Sequence, residues 1–164
     1  MSRFSGFGWR LTATVLAALA AAVVLSAPVD AAPKTNSLSG NADTGAVSFN
    51  GTIVSDENGS AVRGTFQVQT QGGKVTVDAT CLRVGAVVGG RLAGAAGTIK
   101  ASTDPSLPVG SAIGVEAFDS DNPVPPDGLS LVAAPQTPGP NQCNLPGSVT
   151  SSITKGKITI RQSA

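Results

Sequence analysis

The chain has 164 residues, with 11 basic and 10 acidic side chains, no histidine and no tyrosine; its single tryptophan (Trp9) and single methionine (Met1) fall in the first ten positions. Without imidazole, Ser-His-Asp and Cys-His catalysis and histidine-built zinc sites are excluded. The balanced charge offers no basic stripe for nucleic acid or an anionic membrane surface, and little aromatic surface is left to stack on bases or sugars.

"MSRFSGFGWR" carries Arg3 and Arg10 and no acid; "LTATVLAALAAAVVL" follows without a charge, and then the small-residue stretch "SAPVDAAP". This order reads as a secretory signal peptide over residues 1–31. Val29-Asp30-Ala31 satisfies the small-residue rule, and cutting after Ala31 keeps Pro28 and Pro33 away from the new N-terminus. The apolar run is shorter than the ~20 residues that span a bilayer, so no stable membrane insertion is expected after cleavage. Only Arg3, Arg10 and Asp30 among the charged residues precede position 32, so the remaining basic and acidic groups balance.

Residues 32–44, "APKTNSLSGNADT", are small, polar and unpatterned, and are expected to form a flexible tail. From residue 45 to 162 the pattern is that of a single all-β domain. "GAVSFNGTIV" alternates Val47, Phe49 and Ile53 against polar residues, and "DENGS" supplies an Asn-Gly turn. "AVRGTFQVQT" places Val62, Phe66 and Val68 on one face. "KVTVDATCLRV" puts Val75, Val77, Ala79 and Cys81 together. The first three strands therefore read as a meander.

"AVVGGRLAG" is expected to turn back on residues 74–84 through Val84-Gly85, with a bulge at Gly89-Gly90 and "GTIKA" continuing it. "STDPSLPVG" is a loop. "SAIGVEAFD" sets Ile113, Val115 and Ala117 against Glu116 and Phe118. "SDNPVPPDG" is too rich in proline for a ladder. "LSLVA" is a short strand, "APQTPGPNQCNLPG" is irregular, and "SVTSSITKGKITIRQ" closes the chain with Ile158 and Ile160 inward. With 20 glycines and 11 prolines punctuating short strands, the expected architecture is an antiparallel sandwich or small barrel of about 7–8 strands.

An exported chain with two cysteines has one possible intramolecular pair, Cys81 with Cys143; two buried thiols or pairing between chains are the alternatives. No Cys-x-x-Cys supports a redox centre. In "FDSDNPVPPDG", Asp119, Asp121, Asn122 and Asp127 offer oxygens for calcium, but without the spacing of an EF-hand. The competing reading is a solvated loop whose Asx side chains bond the local backbone. Glu116 is the candidate catalytic acid, because burial beside Phe118 would raise its pKa. Glycoside hydrolysis needs a second carboxylate at a defined separation; Glu57 and Asp78 are available, and the alternatives are a solvent-facing Glu116 or a bulge that resets the register. No nucleophile elbow or phosphate loop occurs.

"GTFQV", "VTVDATCLRVGAVVGGRL", "VEAFDSD…PPDGLSL", the late Cys143 and the closing "KGKITI" together resemble a group of small exported β domains of high-GC Gram-positive bacteria. In that group Cys-Leu-x-Val, Gly-Gly, Asp-Gly, a second Cys and Gly-x-Ile-x-Ile follow in this order. The resemblance covers about residues 45 to 162 and implies one compact β fold with Cys81 bonded to Cys143. The group carries mostly no assigned activity, and members often hold an aromatic where this chain has none. The functional expectation is an exported, non-enzymatic binding or structural module, secreted or at the cell surface, without a cofactor and with an unknown partner. The alternative is a small carboxylate-dependent hydrolase of glycan or cell-wall material.

Overall fold

The computed structural model describes residues 34–124, 126–132, 143 and 149–163, all within the unit Ala32–Ala164. The leader and its cleavage site, and most of "APQTPGPNQCNLPG", lie outside the described residues.

Among the described residues there are nine strands and no helix. They are β1 (Thr35–Asp43), β2 (Ser48–Asp56), β3 (Arg63–Thr70), β4 (Gly73–Val87), β5 (Gly90–Ser102), β6 (Ala112–Ser120), β7 (Gly128–Val132), β8 (Ser151–Ser152) and β9 (Lys155–Arg161). They form one antiparallel sheet in the order β8-β7-β6-β5-β4-β3-β2-β1-β9. Every neighbour from β1 to β8 is also a neighbour in sequence, so the meander expected for three strands runs through eight. The sheet curls into a half-barrel. β9 returns to pair with β1, and the Ile160 amide donates to Asp119 Oδ2 at the end of β6, 2.7 Å away. This bond joins strands that are six places apart in the sheet.

The concave face is the core. Phe49, Ile53, Phe66, Val68, Val75, Val77, Ile113, Val115, Ile158 and Ile160 are all buried there, in the period-two pattern that a strand imposes. Phe49 and Phe66 lie with ring centroids 5.9 Å apart. Each such large side chain taken from water contributes about 1.5–3 kcal/mol. With few aromatics to spend, the fold relies on many aliphatic contacts.

The expected flexible tail is not one. Most of residues 32–44 is β1, hydrogen-bonded between β2 and β9, so the β body begins at Thr35 and not at residue 45. Leu38 and Ala42 are fully buried, but Gly40 stands between them where a third apolar residue would have revealed the alternation. Asn36 is buried as well. Its Nδ2 donates to the carbonyls of Asp56 and Glu57, while Oδ1 accepts from the amide and hydroxyl of Ser163. A polar side chain so fully partnered costs little to bury.

The hairpin between β4 and β5 turns at Val88-Gly89 and not at Val84-Gly85, with Val87 paired to Gly90. Gly89 has φ +83°, a value glycine adopts without penalty. The run "GG" thus marks the turn itself, and both strands are longer than their alternation suggests. The closing segment is two strands, with β8 on β7 and β9 on β1.

Candidate functional site

Cys81 was expected beside Val75, Val77 and Ala79, but it faces the other way. The β4–β5 register shifts between Ala79 and Cys81. One unpaired residue in a strand reverses the face of everything after it. Leu82 therefore takes the inward position, and Cys81 packs outside with Ala96 and Cys143 in a separate cluster. Gly97 sits at this bulge, opposite Ala79, where an added Cβ would collide with the Asp78 carbonyl.

Cys81 and Cys143 form a disulfide with Cα atoms 6.0 Å apart. The predicted staple is present, but it lies on the convex side of the sheet. Registers define what stands beside it. Cys81 pairs with Ala96 and Ala96 with Gly114; one step on, Arg83 pairs with Gly94, Gly94 with Glu116 and Glu116 with Ser130. Directly opposed residues present their side chains on one face. Arg83, Glu116 and Ser130 therefore flank Gly94 on the same outer surface as the disulfide. Glu116 is only 1% exposed; alternation placed it correctly opposite Ile113, Val115 and Ala117, but the solvent-facing alternative is wrong. Ser130 Oγ accepts from the Thr150 amide at 2.7 Å, fastening the segment before β8 to β7.

Two cavities lie over this surface and share Val87 and Leu92 as a common wall. The first, about 380 Å³, is bounded by Val87, Leu92, Phe118, Pro126 and Val149, with Gly128, Thr150, Ser151 and Ser152 completing it. The second, about 210 Å³, holds Arg83, Glu116 and Cys143. A wider depression of about 630 Å³ crosses β1 to β3, but Asn50, Thr52, Thr65, Gln67 and three glycines make its wall, the solvated face of an ordinary antiparallel sheet.

The other predicted sites do not assemble. Asp119 belongs to β6 and accepts from Ile160 in β9. Asp127 Oδ1 accepts from the Ser120 amide at 3.0 Å. Asp121 pairs with Arg91 at 3.8 Å, and Ser120 Oγ donates to the Asn122 carbonyl. The three carboxylates are directed to three different partners, and among the described residues no group of three metal-ligating side chains converges. Neither Glu57 nor Asp78 lines the cavity of Glu116. Glu57 lies in the exposed turn after β2, and Asp78 is ion-paired with Lys100. Asp78 is opposite Thr98 while Glu116 is opposite Gly94, which puts them about 14 Å apart along the strand direction.

Sequence reasoning missed Asp104, a buried carboxylate in the loop after β5. Its Oδ1 accepts from the Ser106 hydroxyl and amide at 2.6 and 2.9 Å, and its Oδ2 accepts from Thr70. The Ser106 bonds, side chain first, hold its pKa below the ordinary carboxylate value against the opposing effect of burial. Its signal was the Asp-Pro-Ser of a capped turn; the contact with Thr70, 34 residues away, had none.

No family model, curated protein or solved structure matches the chain. Among the described residues no helix is long and apolar enough to cross a membrane, and the disulfide fits an extracellular protein.

Proposed function

We propose that this chain is exported by its N-terminal leader and that its β body is a non-enzymatic binding module in the medium or at the cell surface. It is a member of the exported β domains that its Cys-Leu-x-Val to Gly-x-Ile-x-Ile pattern resembles. The observation that carries the reading is the pair of adjoining cavities on the outer face beside Cys81–Cys143. The larger falls in the ~300–1,000 Å³ range of small-molecule sites, mostly apolar with a few convergent polar groups. Glu116 remains the acid a hydrolase would use, but among the described residues no second carboxylate lines its cavity.

The test is purification of the full chain from culture supernatant, followed by native and denaturing mass spectrometry. The expected result is a polypeptide beginning at Ala32 that carries a small-molecule adduct, with the adduct absent from Leu92→Trp. A chain kept inside the cell with its leader intact, or one that never carries an adduct, overturns the proposal.

A further inference from the structure

The ligand class can be narrowed, on the reading that the outer-face cleft is a binding site. We infer that the 380 Å³ cavity takes an uncharged, mainly apolar small molecule, oriented by hydrogen bonds to the hydroxyl-bearing segment Thr150 to Ser152.

Three observations converge. The first is shape and lining: Val87, Leu92, Phe118, Pro126 and Val149 come from β4, β5, β6, the β6–β7 loop and the segment before β8, so five separate stretches of chain contribute one apolar wall. An apolar cavity of about 150 Å³ accepts a benzene ring, and the space here is enough for about two fused rings or a short alkyl chain. The second is charge. No ionisable side chain occurs among the described residues of this wall, whereas Arg83 and Glu116 both stand in the adjoining cavity. Burying a net charge without a partner is expensive, so the larger cavity selects against ions.

The third is the approach. The Asp121 amide donates to the Gly89 carbonyl at 3.0 Å, holding the β6–β7 loop against the β4–β5 turn. Val88 at that turn is fully exposed and Val124 in that loop is 82% exposed. Val87, the neighbour of Val88, is itself 44% exposed and lines the cavity, so exposed apolar side chains stand at the end of the sheet that carries it. Polar contact is confined to one side, the segment Thr150 to Ser152, where Ser152, opposite Gly128, has its side chain on the outer face and Thr150 Oγ1 lies 3.1 Å from Ser130 Oγ. That is the arrangement of a site that fixes orientation with a few hydrogen bonds and draws affinity from apolar burial.

The experiment is a fluorescence titration of the full chain with neutral N-phenylnaphthylamine, run beside the anionic anilinonaphthalene sulfonate of similar ring size. The neutral dye is expected to saturate at one equivalent with a blue-shifted emission, and to bind about tenfold or more tighter than the anion. Leu92→Trp and Val87→Trp, which each fill space from the cavity wall, are each expected to weaken the neutral dye about tenfold or more. Their far-UV circular dichroism and melting transitions report whether the fold is kept, and Val87 is exposed enough for that variant to fold if the other does not. Equal affinity for the two dyes, or neutral-dye binding that survives both substitutions in folded protein, overturns the ligand class. If the culture-derived protein then carries a charged adduct, the binding module stands and only the class falls. If no dye and no adduct binds, both fall together.

Discussion

At the scale of single residues, the fold is decided by a few side chains whose importance comes from partners far away in sequence. Asp104 is one. Its folded-state pKa is depressed by Ser106 and Thr70, so its contribution to stability is complete above the unfolded carboxylate value near 3.9 and fades as pH falls through the lower folded value. Comparing melting temperature against pH for the protein and Asp104→Asn should therefore show a gap at pH 6 that closes as the solution is taken below about pH 4. Gly97 is another. Gly97→Ala drives a methyl group into the Asp78 carbonyl at the bulge and should cost about 1–3 kcal/mol in urea denaturation, as overpacking does. The sequence showed Phe49, Phe66, Ile158 and Ile160 as core because strict alternation identifies an inward face. It could not show the inversion at Cys81, because Thr80 leaves the ladder without any glycine or proline in "DATCL" to announce it.

Elements tell a similar story with a different weighting. The hairpins from β2 to β4 were legible because each strand joins a period-two pattern to a turn such as Asn58-Gly59 or Gln71-Gly72. β1 was not, since "TNSLSGNAD" holds only Leu38 and Ala42 as apolar contacts and takes its stability from ladders on both sides. Starting the polypeptide at residue 45 should consequently remove the partner of β2 and β9 at once. Such a truncation is expected to give no cooperative melting transition by circular dichroism and to be digested rapidly by protease, whereas one starting at Lys34 should melt cooperatively and resist digestion. The seam between β6 and β9 makes a narrower test. Asp119→Ala removes the acceptor for the Ile160 amide and should destabilise by about 1.5–3 kcal/mol, the range for a hydrogen bond to a charged group. The candidate cleft was invisible at this level, because its walls come from five stretches of chain with no shared motif.

For the whole molecule, the dominant fact is that one sheet makes both a filled interior and a second, outward surface carrying the disulfide and the cavities. The fold class, the antiparallel pairing of the first three strands and the cysteine bond were readable because they follow from alternation, turn spacing and the presence of two cysteines. Which side of the sheet the pairing occupied was not, since that depends on a single bulge. Closing a 62-residue separation restrains the unfolded chain by about 4 kcal/mol on the loop-entropy model. Cys81→Ala combined with Cys143→Ala should lose about that much in equilibrium denaturation while keeping the β circular dichroism signature. Cys81 stands on the outer wall but is only 3% exposed, packed with Ala96 and Cys143, so the two sulfurs are sealed from the medium once joined. The seal is separate from the apolar interior, so cutting the bond loosens the outer layer and leaves the contacts of the concave face in place.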